Sequence, residues 1–555
     1  SRLRAQISLF MELTVRNFEG KTFNERNEIL TFGVYTAHGL TKRSGPSQPT
    51  WLYKTSRNSG QDTTLRSILW IVIIAPVLSV LWKLASNETV LDHVFNILFI
   101  VRLNLINIGF VILMNWLAPW PAQEQTKEHI NDPRYLAEIG CVVPCHKSAS
   151  EIAATVQSLL QFLRPEHIIV ADNGNSFTPL DDTQARIKDL DPRVTYMWVP
   201  IGMKTNALWM GVNRLPKTVK FVMHIDDDTI CPPDMVFDER VWDHPETDAV
   251  SYGISMYQTG MVEKLVDFEF KQISQLRLFQ SKYSSVWFQH GIIGVWRREA
   301  FEEVLKEHPF LPFGEDNWAG TINLLKNRQM RQELRSCVTS YAPASLLPFT
   351  GAREQGYAAA NIWKQRAERW YVNAPRRFFV RLYLLFFYCH DTVQGNIVFR
   401  FLTLWHLMEI YAHLSLPLSL IAYFCSDNLN WIFVAEGLAV QLSMHWLQIF
   451  MQNYLLWRHR PDIQINWYIC LAVPFYHWFL ELCFWYGHWR CLLYYIPFFP
   501  FRHGLYTEGA MTPDLLEKIH NIKTLPEPDG PSSNGNSSGD ASPGETEAHA
   551  LLSQP

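Results

Sequence analysis

The sequence predicts an α/β domain built on a parallel sheet and set between groups of apolar helices that cross a membrane. Three observations predict it. Between about residues 121 and 355, short apolar runs alternate with helical patterns, the order of a parallel sheet. On either side lie apolar stretches long enough to cross a bilayer, which takes roughly 20 residues. Charged residues make up only 18% of the 555, against an apolar fraction of 48% that includes 21 Trp, 21 Tyr and 34 Phe. The formal net charge of -4 is too small to mark a nucleic-acid binder. Nine scattered cysteines without a CxxC pair fit neither a disulfide framework nor a zinc site, and a reducing compartment suits them.

The flanks come first in chain order. Residues 1–66 form a cytosolic N-terminal region, and 67–120 hold two predicted spans, SILWIVIIAPVLSVLWKLA (67–85) and FNILFIVRLNLINIGFVILMNWLAPW (95–120). After the soluble region, residues 396–502 hold three or four more, at 399–424, 431–451 and 467–487, with LLYYIPFFPF (492–501) too short to span alone. Lys42, Arg43, Lys54, Arg57 and Arg66 precede the first span, which orients the N-terminus and the soluble domain toward the cytosol. Asn87, in Asn87-Glu88-Thr89, then falls on the opposite side as a possible glycan acceptor. The acidic, Pro/Gly/Ser-rich tail at 525–555 is expected to be disordered.

Within the soluble domain, EIGCVVPCH (138–146) reads as a buried strand. SASEIAATVQSLLQFL (148–163) reads as a helix that Ser148 or Ser150 can cap. HIIVADNGN (167–175) is a second strand, TNALWMGVNRL (205–215) a helix, and FVMHI (221–225) a third strand. The strands finish in Cys145-His146, Asp172-Asn173 and Asp226-Asp227-Asp228, so carboxylates gather at the carboxyl edge of the sheet, where such folds bind ligands. Asp and Asn also suit turns and caps at these places.

Three adjacent carboxylates repel one another, and a divalent cation would give them a use. Mn2+ or Mg2+ takes oxygen ligands and usually shares a site between protein carboxylates and substrate phosphates. On extended backbone Asp226 and Asp228 would face one way and Asp227 the other. A metal held there would offset the charge of a diphosphate leaving group.

HIDDDT (224–229), GEDNWAG (314–320) and QRAERW (365–370), in that order and between apolar flanks, resemble the motifs of the family 2 glycosyltransferases. Over about residues 60–510 the chain is similar to the processive hyaluronan, chitin and cellulose synthase group, and most like fungal capsule-polysaccharide synthase-like proteins. The resemblance implies a glycosyltransferase A-type, Rossmann-like cytosolic domain (121–355) inserted between the transmembrane helices, followed by interfacial helices carrying QRAERW (356–395). It implies that Val143 and Pro144, Asp172, Lys204, Asp226, Gln365 and Arg369 bind the donor nucleotide, and that Asp228 holds the metal. Asp316 would be the general base of an inverting displacement. His290 and Gly291, in FQHGIIGVWRREAF (288–301), would meet the acceptor, with Trp296 a further candidate. Trp370 would stack on a sugar ring. Gln365, Arg369 and Trp370 would share one helix.

Two segments depart from the family's pattern. The stretch 344–363 is longer than usual, and within 503–524 LYTEG (505–509) only partly echoes a gating loop, through Thr507. The expected function is a plasma-membrane synthase that polymerises sugar from a UDP-sugar into a β-linked polysaccharide and extrudes it through its own channel. The lipid bilayer and the growing polymer are then its partners. The alternative is a non-processive transferase acting on a lipid.

Overall fold

A computed structural model describes residues 106–120, 131–174, 178–200, 202–308, 314–347, 361–373, 378–424 and 431–494. The first predicted span, the Asn87 sequon, Thr507 and the acidic tail lie outside these residues.

The domain that follows α1 keeps the alternation read from the sequence. Its strands are β1 (Ile139–Cys145), β2 (Ile168–Asn173), β3 (Thr195–Val199), β4 (Phe221–Ile225), β5 (Thr247–Met256), β6 (Ile293–Arg297) and β7 (Gln329–Ser340). They form one seven-stranded sheet in the order β3-β2-β1-β4-β6-β5-β7. The half that was read as parallel is parallel, with Cys145 opposite Asp172 and Val142 opposite His224. The other half is mixed: β6 runs antiparallel to both β4 and β5, and β5 and β7 are parallel. This reversal matters for the site. It brings the start of β6 to the carboxyl edge of β4, where the Asp226 N–H donates to the Ile292 carbonyl at 2.8 Å.

Successive strand residues face opposite sides. Val142, Ile169 and Val222 pack on one side with Leu208 and Val212 of α4 (Lys204–Arg214) and with Phe301 of α6 (Arg298–Glu307). Val143, Val170 and Met223 pack on the other with Ile152 and Val156 of α2 (Ile152–Leu159) and with Phe268 of α5 (Met261–Tyr283). The helices α2 and α3 (Thr183–Leu190) connect neighbouring parallel strands as crossover helices, whereas α5 leads from β5 to its antiparallel neighbour β6. Trp296 is fully buried and stacks on Phe301 at 5.2 Å, so it belongs to the core and not to a sugar path. The helix after β1 starts at Ile152, with Glu151 at the N-cap and no side-chain cap; the Ser148 hydroxyl is turned away, toward Asp227.

Beyond the sheet lie α7 (Glu315–Leu325), the short α8 (Ile362–Gln365), α9 (Phe378–Phe387) and three long helices, α10 (Val393–Phe424), α11 (Trp431–His459) and α12 (Trp467–Tyr494). Only the end of the second predicted span is described, as α1 (Ile106–Leu117). Among the described residues one helix, over Trp467–Leu492, is long and apolar enough to cross a membrane. The helices α10 and α11 exceed it in length, but His406, Glu409 and His413 in one and Glu436, Gln441 and His445 in the other lower their hydropathy. The second core cluster does not stop at the domain: Ile469, Val473, Tyr476 and Leu480 of α12 continue the one that holds Val143 and Phe268.

Gln365, Arg369 and Trp370 do not share one α-helix. The chain is α-helical to Gln365, π-helical over Arg366–Trp370, and 3-10 over Tyr371–Asn373. The physical reason is a residue count. Gln-x-x-Arg-Trp places Trp four residues after Gln, whereas here Trp370 is five after Gln365. A π-turn closes over five residues where an α-turn closes over four, so it takes up the additional residue.

Candidate active site

The site forms where the carboxyl end of β4, the start of β6 and the start of α7 meet. Lys204, the first residue of α4, joins them: its Nζ lies 2.5 Å from Asp226 Oδ1, 3.1 Å from Glu315 Oε1 and donates to the Gly291 carbonyl at 2.8 Å. Burial acts to lower its pKa, but the two carboxylates win and hold the ammonium more firmly protonated than usual. The helix α7 begins after Gly314, whose φ of 77° lies in the left-handed region that glycine adopts without penalty. That turn sets Glu315 and Asp316 at the helix N-terminus, facing β6.

The neighbouring carboxylates of α7 have opposite environments. Burial would raise Glu315, but Lys204 beside it takes it down to about 2. Burial pushes Asp316 up to about 6, helped by the negative Glu315. Asp316 accepts from the Asn317 N–H at 2.7 Å. A side chain on Gly291 would begin 3.2 Å from Glu315 Oε1 and 3.6 Å from Asp316 Oδ2, so the glycine keeps the space before the carboxyl clear. One carboxylate is held ionised by a lysine, while its neighbour is poised near neutrality beside a glycine. This is the arrangement of a general base.

The three aspartates do not alternate along an extended strand. They lie in a turn, with the Thr229 N–H donating to the Asp226 carbonyl at 3.2 Å, and each has its own partner. Asp226 meets Lys204; Asp227 accepts from the Ser148 hydroxyl and from the His146 N–H at 3.4 Å; Asp228 accepts from the Ser340 hydroxyl at 3.1 Å. Burial raises all three, taking Asp226 to about 6, and the charges of Asp227 and Asp226 push Asp228 further. Among the described residues no group of three or more His, Cys, Asp or Glu converges as a ready-made metal cage. A cation that takes one or two protein carboxylates and completes its shell with diphosphate and water fits this donor set, because burial and the charges of Asp227 and Asp226 disfavour an ionised Asp228, and among the described residues no ion pair offsets that cost.

The remaining predicted residues are placed as follows. Val143 and Pro144 are buried in β1, Val143 in the core. Asp172 is 1% exposed and accepts from the Tyr196 hydroxyl at 2.9 Å, while its Oδ1 is buried without a hydrogen bond. His290 is buried against Phe270 at 5.2 Å, with Nε2 lacking a partner. Gln365 is buried at the end of α8; Arg369 is exposed, and its charge acts on Glu315. Trp370 is half-buried and meets Phe270 edge-on at 6.2 Å.

Sequence reasoning passed over two arginines. Arg277 of α5 is buried over the Phe288 ring at 4.5 Å and draws Asp316 downward; burial takes its own pKa down to about 9. Arg366 is fully buried, pairs with Glu269 at 2.9 Å and lies 3.7 Å over the Trp370 ring. No sequence signal marked Arg277. Arg366 stood in plain view inside RAERW, and the missing signal was the odd residue count.

Residues 141–305 match the model of glycosyl transferase family 2, and the matched segment runs from β1 through α6. The chain therefore carries a family 2 glycosyltransferase domain, and its enzymatic class is glycosyltransferase. No curated protein matches the chain in sequence. Among solved structures it is similar to the mannosyltransferase PcManGT from Pyrobaculum calidifontis in complex with GDP-Man and Mn2+, at 16% identity over 64% of this chain and 96% of that one, with a TM-score of 0.40. It is also similar to TarS from S. aureus in complex with UDP-GlcNAc, at 12% identity over 67% and 93%, with a TM-score of 0.30. Glucosyl-3-phosphoglycerate synthase from Mycobacterium tuberculosis, in complex with Mn2+ and UDP, matches at 17% identity over 40% and 77%, with a TM-score of 0.26. At these scores the likenesses decide nothing about this chain's own ligands.

Proposed function

We propose that the chain is a membrane-embedded, inverting glycosyltransferase that extends a β-linked polysaccharide from a UDP-sugar and passes it through its helical bundle. The observation that carries this reading is the pairing of a base-like Asp316, beside Gly291, with an apolar bundle that shares the core of the sheet. The outward faces of the long helices support the membrane. Val393, Ile397, Phe401, Leu404, Met408 and Tyr411 form one exposed stripe at helical spacing on α10, and Tyr468, Leu471, Phe475, Leu482 and Tyr486 another on α12. Stripes of this size facing water would be sites of aggregation, whereas facing lipid they are the ordinary surface of a span. The positive-inside bias of the sequence supports a cytosolic catalytic domain, and we assign the chain to the plasma membrane.

In this reading the Asp316 carboxylate takes the proton of the acceptor hydroxyl as that oxygen attacks the anomeric carbon. The bond from that carbon to the diphosphate oxygen breaks on the opposite side, so a single displacement inverts the configuration and UDP leaves. Lys204 keeps Glu315 ionised, which leaves the proton to Asp316. Asp172, Asp226, Gln365 and Arg369 serve the donor, His290 and Gly291 the acceptor, and Trp370 the terminal sugar ring. Asp228 would hold Mn2+ or Mg2+, which supplies positive charge to the departing diphosphate.

The test is to give membranes containing the full chain each UDP-sugar, singly and in pairs, and to measure UDP release and product size. Release with a long polymer is expected. A product of lipid size would replace the polymer reading with the lipid-acceptor one, and no release from any UDP-sugar would overturn both.

A further inference from the structure

We infer that Arg366, locked by Glu269 and Tyr476, is a positioning residue that sets the plane of Trp370, so that the apolar helix α12 orients the acceptor platform of the catalytic domain. The inference rests on the transferase reading above.

Side-chain contacts and one close backbone approach carry it. Glu269 Oε2, on α5 of the catalytic domain, accepts from Arg366 Nη2 at 2.9 Å and from the Tyr476 hydroxyl of α12 at 2.7 Å. The Arg366 guanidinium lies 3.7 Å from the Trp370 ring centroid, and the Phe270 ring lies beside both, 5.7 Å from the guanidinium and edge-on to Trp370 at 6.2 Å. Tyr371, the residue after Trp370, stacks on Phe484 of α12 with ring centroids 3.5 Å apart and 13° between planes. A side chain on Gly487 of α12 would begin 3.0 Å from the Ala367 carbonyl and 2.9 Å from Tyr371 Cβ, so the helix reaches the π-turn only because that position is glycine.

The chemistry explains why an arginine stands here. A buried cation needs a counter-charge and good geometry to be tolerated. Arg366 has both, and its planar guanidinium can hold an aromatic face while its edge pairs with a carboxylate, which an ammonium cannot do. Arg369, three residues on, is exposed and acts on Glu315 instead. The two arginines therefore divide the work, one holding the ring and one facing the charged site. Because Tyr476 shares the same carboxylate oxygen, any displacement of α12 is felt at Trp370 through two hydrogen bonds and one stack.

The experiment uses Tyr476→Phe in the full chain, a change that removes one hydroxyl and keeps the ring. Turnover, KM for the UDP-sugar and mean product length are measured in wild type, Tyr476→Phe, Trp370→Ala and the double variant. Loss of one hydrogen bond to a charged group predicts a fall of about tenfold in kcat with shorter product and an unchanged donor KM. In the Trp370→Ala background the same change adds no further loss, because the ring through which it acts is gone. Arg366→Lys reproduces the Tyr476→Phe effect despite keeping the charge. Product of wild-type length from Tyr476→Phe would overturn the inference, as would a full additive loss in the double variant or a donor KM that moved in step. If wild type released no UDP, the transferase reading would fall and this inference with it, whereas an active wild type with an unaffected Tyr476→Phe sinks this inference alone.

Discussion

Asp316 and Glu315 are adjacent in sequence, yet Lys204 touches only Glu315, and that asymmetry sets their roles. With Asp316 raised to about 6 by burial and by Glu315, its ionised form is lost as pH falls through that value. Turnover of the wild type is therefore expected to decline on the acid side with a midpoint near 6, measured as kcat/KM for UDP release. Arg277 acts in the opposite direction, drawing Asp316 down. Arg277→Leu is expected to move the acid limb to higher pH; an unmoved limb would remove Arg277 from the account. Gly291→Ala places a methyl 3.2 Å from Glu315 Oε1, inside the space assigned to the acceptor. It is expected to lower turnover by about 10- to 100-fold while UDP binding persists, since small misplacements at a reacting centre cost that much.

At the scale of elements, the site depends on three chain segments being pinned at one edge of the sheet. Lys204 does this for β4, the start of β6 and α7. Lys204→Met leaves two carboxylates facing one another without a cation. It is expected to lower stability by about 1–3 kcal/mol, read from the denaturation midpoint, together with loss of activity. How much of this was legible in the sequence varies by element. β1, β2 and β4 announced themselves as short apolar runs ending in polar residues, and their parallel order followed. The direction of β6 did not, because hydrophobic period carries no sense of strand polarity. β7 buries alternate positions, but Gln332, Ser336 and Ser340 fill three of them and blur the pattern. β3 is mostly half-exposed, and its apolar run Tyr196-Met197-Trp198-Val199 was passed over. At the site, Lys204, Asp226, Gly291 and Asp316, named from motifs and the resemblance, lie close together in space. The extended alternation of the aspartates was misread because a turn begins directly after Ile225, and the Gln365-to-Trp370 helix because a π-turn leaves no trace in composition.

For the whole molecule, the catalytic sheet and the apolar bundle share a hydrophobic cluster, so the fold is built as one unit from β1 to α12. The buried aspartate cluster is an electrostatic cost of that unit, and a divalent cation at Asp228 is expected to relieve it. Mn2+ is expected to raise the melting midpoint of the wild-type chain, because a ligand bound only by the folded state stabilises it. Asp228→Asn is expected to abolish that rise; a rise that survives the substitution would place the cation elsewhere.

The central claim is that Asp316 accepts the acceptor's proton, and one comparison addresses it. UDP binding and turnover are measured side by side for wild type and Asp316→Asn in membranes. The account predicts UDP binding within about twofold of wild type and turnover lower by at least about 100-fold. Normal turnover from Asp316→Asn would contradict it.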